Sequence, residues 1–230
     1  MSKLISGITF LSLLISGCSN SYQKDSSRLN LIKERGELIC GISGQIAGFS
    51  FPDIDIDEKY KGLDVDICKA FAAGILGDSK KIQYRPLTAT ERFIAIKTGE
   101  IDVLSRNTTF TLSRDSTGGN ALSFAPVVFY DSQGIMVKKD SNIKNIQDLK
   151  NKSICVGSGT TTEQNLNDVF ESKSISYTPI KYQDASQVSA GYLQDRCSAM
   201  TSDRSQLAAA RSSFPNPENH IILETVLSKE

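Results

Sequence analysis

The sequence holds a single histidine, His220, and its cysteines are nowhere close-spaced. A metal site built from His and Cys ligands is therefore not expected, and neither is a Ser/His/Asp catalytic set. Lysine plus arginine number 26, and so do aspartate plus glutamate, for a formal net charge of +0. With no basic excess and no arginine-rich stripe, the chain lacks the electrostatic footprint of a nucleic-acid binder. Its apolar runs are too short to cross a bilayer as helices. No motif calls for a cofactor. What is present is an ordinary globular composition, 39% hydrophobic and 23% charged, which fits a small-molecule partner without arguing for one. A length of 230 residues leaves one large domain or two small lobes equally open.

Residues 1–18 read as a targeting segment. Lys3 supplies a short positive start, and Leu4 to Ile15 is apolar apart from Ser6, Gly7, Thr9 and Ser12, the pattern of a signal peptide. Ile15-Ser16-Gly17-Cys18 resembles the lipobox of bacterial lipoproteins, in which small residues precede a cysteine that is diacylated and becomes the new N-terminus. An ordinary secretory signal with an incidental cysteine is the alternative. At ~0.8 kcal/mol per buried methylene, acyl chains on Cys18 would hold the protein at a membrane face. Residues 19–30 follow as a polar tether. Export leaves Cys40, Cys68, Cys155 and Cys197 in a compartment where disulfides persist. Four cysteines allow three pairings, and the sequence alone does not choose among them.

Beyond the tether, short apolar segments alternate with helical periods. Leu29–Arg35 with Gly36 reads as a helix and its stop, Glu37–Ile42 as a buried strand, and 44–52 as a glycine-punctuated loop containing Phe49 and Phe51. Asp64–Leu76 places Val65, Ile67, Cys68, Phe71, Ala72 and Ile75 on one helical face. Lys81–Pro86 and Ile101–Leu104 are predicted strands on either side of a helix at Thr90–Thr98 with Phe93, Ile94 and Ile96 inward. The same order restarts with strands at Ser153–Gly157, Ile175–Ile180 and Ala199–Thr201, and helices at Thr161–Phe170, Ser186–Leu193 and Gln206–Ser212. Between the two sets, 127–138 is an apolar extended stretch and Ile146–Leu149 a helical turn. The grammar predicts two α/β lobes with parallel sheets, joined by a crossover strand.

Three segments carry a family resemblance: Gly62-Leu-Asp-Val-Asp-Ile67; the run from Gly99 through Arg106-Asn-Thr-Thr109 to Arg114; and Gly159-Thr-Thr-Thr-Glu163 with Asp195 to Asp203 downstream. Together, over residues 31–230, they resemble the amino-acid receptors of ABC importers, solute-binding protein family 3, and within it the general L-amino-acid receptors. The resemblance implies a two-lobed periplasmic-binding-protein-like fold of type II, with lobe I at 31–137 and lobe II at 138–230. It implies a free L-amino acid as ligand, an ABC permease as partner, and a place in the periplasm or at the outer face of the cell membrane. That fold favours Cys40 with Cys68 and Cys155 with Cys197, one bridge inside each lobe; four buried free thiols are the alternative.

A receptor for many amino acids should clamp the shared carboxylate and ammonium and leave the side chain loose. The resemblance assigns the carboxylate to Arg114, whose planar fork matches two oxygens; alone, Arg114 would read as a surface arginine. Asn107 and Thr109 offer neighbouring polar contacts, and Thr111 and Arg106 are weaker candidates. Arg106 either pairs with an acid in its lobe or lines the pocket and favours acidic side chains. Thr160 and Thr161 precede a helix whose free N–H groups suit a carboxylate, and equally serve as N-caps with Glu163 closing a capping box. Asp203 matches the acid that receives the ligand ammonium, or caps the following helix. Phe49 covers one face of the ligand or belongs to the core.

The resemblance also implies further chain after Glu230, crossing back to complete lobe I. Without it, lobe I exposes apolar sheet surface and solubility suffers; a gene fragment, a frameshifted copy or a split reading frame would account for the shorter chain. An exported enzyme on the same fold, such as a dehydratase or lytic domain, is the rival reading, and a sensor domain a second one. Neither has a poised acid–base pair or a following transmembrane helix here, so a binding protein and not an enzyme is expected.

Overall fold

The computed structural model describes residues 27–53, 59–116 and 118–229; the signal segment, Cys18 and most of the tether lie outside them. The chain runs α1 (Arg28–Arg35), β1 (Leu38–Ile42), β2 (Phe51–Pro52), β3 (Tyr60–Lys61), α2 (Leu63–Leu76), β4 (Ile82–Pro86), α3 (Arg92–Thr98), β5 (Val103–Leu104) and the single turn α4 (Leu112–Asp115). It continues with β6 (Ser132–Lys138), β7 (Ser153–Gly157), α5 (Thr161–Ser172), β8 (Thr178–Tyr182), α6 (Ala185–Leu193), β9 (Ala199–Asp203), α7 (Arg204–Ser213), β10 (His220–Ile222) and β11 (Ser228–Lys229).

Two larger sheets result. The first is parallel, in the order β4-β1-β5. The second has the order β10-β6-β9-β7-β8, with β11 also on β6. It is mixed: β7 runs parallel to β8 and β9, while β6 is antiparallel to β9 and β10. Two expectations change here. The predicted crossover stretch 127–138 forms a strand only from Ser132, and that strand pairs wholly with the second sheet. The break between sheets therefore falls ahead of Ser132, not at 137/138. The second strand of the second set also sits later than expected, at Thr178–Tyr182, where it pairs in parallel with Ser153–Gly157.

The second sheet buries both faces. Ile135, Ile154, Leu166 and Phe170 pack on one side, Met136, Val188, Tyr192 and Leu207 on the other. Side-chain alternation along β6 and β7 sends successive residues to opposite cores. At about 1.5–3 kcal/mol per fully buried large apolar side chain, these two layers dominate the stability of this half. The first sheet has a smaller core of Ile32, Leu38, Ile42, Cys68 and Ala72. Cys40 of β1 is bonded to Cys68 of α2, with Cα atoms 6.1 Å apart, and Cys155 of β7 to Cys197, with Cα atoms 5.6 Å apart. Both pairs favoured by the resemblance are therefore formed, and each ties elements around a single sheet.

Helix faces near the cleft depart from periodicity. On α3 the buried residues are Arg92 and Ala95, whereas Ile94 is 58% exposed. Only one edge of this short helix faces the sheet, through Ala95 onto Leu87 and Ile101. Phe71, expected inward on α2, is 36% exposed. It borders a chamber of about 940 Å³ shared with Phe49, Phe110 and the exposed stretch Val127–Tyr130. Phe49 stacks edge-on against Phe129, ring centroids 5.2 Å apart, and is not in the core. Gly62 holds this corner together: its φ is +123° and a Cβ there would lie 2.5 Å from the Phe49 carbonyl oxygen. Among the described residues, no helix is long and apolar enough to cross a membrane.

Candidate functional site

In both sheets the carboxyl ends of the parallel strands point toward one crevice, the place where open α/β sheets present their ligand-binding loops. From the first sheet comes the segment after β5. From the second come the turn between β7 and α5 and the last residue of β9. A pocket of about 70 Å³ lies between them.

Asp203 ends β9, opposite Gln133 in the register with β6. It is buried, at 8% exposure. Its carboxylate accepts from Asn107 Nδ2 at 3.2 Å, across the crevice, and from Gln206 Nε2. Although Asp203 occupies the N-cap position of α7, its side chain makes no capping bond. The cap alternative raised by the sequence is thus not formed, and the carboxylate faces the pocket.

Thr160 is the N-cap of α5, its Oγ1 accepting from the Glu163 N–H at 3.0 Å. Glu163 completes the turn differently from a capping box: its Oε2 accepts from the Gly159 N–H at 2.8 Å. Thr161, in the first turn, is left facing the crevice and shares a hydrogen bond with Thr109 Oγ1 at 3.1 Å. Gln133 anchors this helix start from beneath, donating to the Thr162 carbonyl at 2.9 Å and to Thr201 Oγ1 at 3.0 Å. The positive end of a twelve-residue helix is so held toward the pocket. Gly159 permits the approach of the two halves: its φ is +70° and a Cβ would meet Thr90 Cγ2 at 2.9 Å.

Arg92 was not singled out by the sequence. It is among the largest fully buried side chains of the described residues, 1% exposed. Its guanidinium donates to the Asn107 carbonyl (3.4 Å) and Thr108 Oγ1 (3.2 Å) on one side and to the Gly159 carbonyl (3.5 Å) on the other. It spans the crevice and lines the pocket. Helical periodicity could not find it, because a charged residue opening a short helix reads as solvated.

Of the residues picked from the sequence, Asn107, Thr109, Thr160, Thr161 and Asp203 converge on the pocket, and Arg106 joins them. Arg114 and Phe49 are not among its lining. Arg114 is buried behind it, donating to the Thr109 carbonyl at 2.7 Å and lying over the Phe93 ring at 5.1 Å. Phe49 borders the larger chamber instead. Thr111 accepts from the Arg114 N–H at 3.2 Å, as the cap of α4.

Two sheets with their strand ends facing a polar crevice, bridged by side chains from both, define a two-lobed binding fold. Residues 38–210 match the bacterial extracellular solute-binding proteins, family 3, and the chain belongs to that family. Its fold is the type II periplasmic-binding-protein-like fold. It is 42% identical over 228 residues to the general L-amino acid-binding periplasmic protein AapJ of Rhizobium johnstonii, covering 99% of this chain and 65% of the relative. It is 41% identical to the glutamate/glutamine/aspartate/asparagine-binding protein BztA of Rhodobacter capsulatus, covering 97% and 64%. A solved periplasmic binding protein from Brucella ovis with glutathione bound superposes with a TM-score of 0.81 at 41% identity, covering 88% of this chain and 62% of that one. The chain thus spans a little under two thirds of these relatives' length.

Proposed function

We propose that the protein is the extracytoplasmic substrate-binding component of an ABC importer, capturing free L-amino acids between two lobes and delivering them to a membrane permease. The observation that carries this reading is the convergence of Asp203, Asn107, Thr109, Thr161 and the start of α5 on one pocket from both sides. Asp203 supplies the negative charge for an ammonium. Thr109, Thr161 and the α5 N–H groups supply donors for a carboxylate. The names of the relatives, which are amino-acid receptors, support the same reading.

In this scheme ligand takes over contacts that Asn107 and Gln206 now make with Asp203. It stabilises the closed arrangement by touching both lobes at once, whereas the open arrangement offers only half of those contacts. In this scheme the connection between the lobes lies ahead of β6, which starts at Ser132. For Arg114 to take the ligand carboxylate, its guanidinium must leave the Thr109 carbonyl; otherwise it serves by holding that segment in place. A signal peptide, periplasmic delivery and a lipid on Cys18 complete the scheme, and no catalytic step is assigned to any residue.

The test is calorimetry of the full chain against the twenty amino acids. Asp203→Ala should weaken binding by about 10–100-fold, the worth of one charge-assisted hydrogen bond in a shielded site. Absence of binding by every amino acid would overturn the function. Unchanged binding in both Asp203→Ala and Arg114→Ala would overturn the site and spare the class.

A further inference from the structure

Two ionisable groups beside the crevice, one half-buried and one buried, are not used by the clamp for the common ammonium and carboxylate. One is the guanidinium of Arg106, which lines both the small pocket and the larger chamber. Its Nε is buried with no hydrogen-bond partner among the described residues. The other is the carboxyl of Asp64, in the first turn of α2. It is 4% exposed, lines the chamber side only, and accepts from Ser50 Oγ at 3.3 Å.

Arg106 and Asp64 both line the larger chamber, and Arg106 and Asp203 both line the small pocket. Burial lowers Arg106 to about 10, Asp64 and then Asp203 counter that fall, and Arg114 adds to it, so it remains a cation at neutral pH. Burial pushes the Asp64 carboxyl up to about 7, with Ser50 and Arg106 pulling the other way. Both carboxylates favour the charged form of Arg106, and the proposed function commits Asp203 to the ligand ammonium. Arg106, Asn107, Thr109 and Asp203 border both spaces, so a ligand side chain leaving the clamp passes Arg106 from the pocket side while Asp64 faces it from the chamber side. The other pocket cation, Arg92, already has three acceptors.

Other charges near Asp64 have their own engagements. In the chamber, Lys97 donates to Asn120, Asp102 binds Arg35 and the Ile39 N–H, and Asp131 accepts from Ser205; Lys229 also lines it. On α2 itself, Asp66 is exposed and Lys69 half-buried. Arg106 is the one charge that acts on the Asp64 carboxyl to hold it down.

We propose that Arg106 selects acidic ligand side chains by counter-ion exchange: Asp64 balances it when the bound amino acid is neutral, and a ligand's side-chain carboxylate displaces Asp64, which takes up one proton. This rests on the amino-acid-binding reading. The exchange balances: one proton from solvent joins one Asp64 carboxylate oxygen, and the ligand carboxylate stays ionised against Arg106. Acidic ligands then bind more tightly as pH falls toward neutrality, and neutral ones do not.

The experiment is calorimetry of the full chain with glutamate and with glutamine between ~pH 6 and ~pH 8.5, in two buffers of different ionisation enthalpy. Above about pH 7 glutamate affinity should rise by up to about tenfold per unit of falling pH and flatten below it, with net uptake approaching one proton. Glutamine should show neither effect, which also cancels any remote titration such as that of His220. Asp64→Asn should abolish the slope and the uptake, and Arg106→Gln should lower the glutamate-to-glutamine affinity ratio about tenfold or more. Glutamate binding to the unaltered chain without proton uptake overturns the proposal whatever the variants do. An unchanged glutamate-to-glutamine ratio in Arg106→Gln overturns it too, and in both cases the amino-acid reading stands. If no amino acid binds, the reading and the proposal fall together.

Discussion

Replacing Asp64 by asparagine should make the protein more stable at alkaline pH and do progressively less at acid pH. The native carboxyl is pushed from an ordinary 3.8 up to about 7, chiefly by burial. Between those values the native state holds a proton that the unfolded chain has released. Stability contributed by this group is therefore complete below 3.8, is lost as pH rises toward 7, and is flat above it. Roughly three pKa units at 1.36 kcal/mol each put the whole loss at about 4 kcal/mol. Asparagine keeps an acceptor for Ser50 Oγ and carries no charge, so its curve lacks this slope. Its advantage over the parent should widen by about 3 kcal/mol from ~pH 5 to ~pH 8, which is two of those units. For a chain of this size that is about 5–10 °C in Tm. Urea unfolding of both proteins at each pH gives the difference directly, with every other titrating group cancelled. Parallel stability curves would refute the claim that Asp64 is buried with an insufficient counter-charge.

The Cys155–Cys197 bridge spans a sequence separation of 42, and the chain-entropy value for such a loop is about 4 kcal/mol. Replacing both cysteines by alanine should lower the unfolding free energy by roughly that amount in non-reducing urea titrations, and a loss under about 1 kcal/mol would refute an unfolded-state role. His220 is buried, bonded through Nδ1 to Tyr192 Oη at 2.9 Å, and burial together with Lys138 lowers its pKa. The unfolded chain therefore takes the proton first, and stability should fall as pH drops through about 6.5. An NMR titration of the single imidazole should show a midpoint below that ordinary value; one at or above it would contradict the packing against Tyr192 and Phe214.

The alternation of short apolar strands with glycine-stopped helices was legible from the chain because each element makes its period locally. Leu63–Leu76 and Thr161–Ser172 lie within two residues of where periodicity puts them. Asn107, Thr109, Thr161 and Asp203 were singled out by the family resemblance of the motifs that hold them, not by periodicity, and they line the pocket. What periodicity missed depends on which elements cover which faces. Ile94 and Phe71 have helical spacing for burial and little packed above them, while Arg92 and Asp64 are charged residues that neighbours bury.

The sequence by itself determined the family motifs, the cysteine set and the order of strands and helices, which are written in the residue order itself. Only the tertiary structure decided that Ser132–Lys138 belongs to the second sheet, that Arg92 spans the crevice while Arg114 lies behind it, and that Arg106 lines one chamber with Asp64 and Asp203. Those relations join distant parts of the chain, Arg92 and Gly159 being 67 positions apart, and burial, which shifts the charge states, exists only once the chain has brought them together.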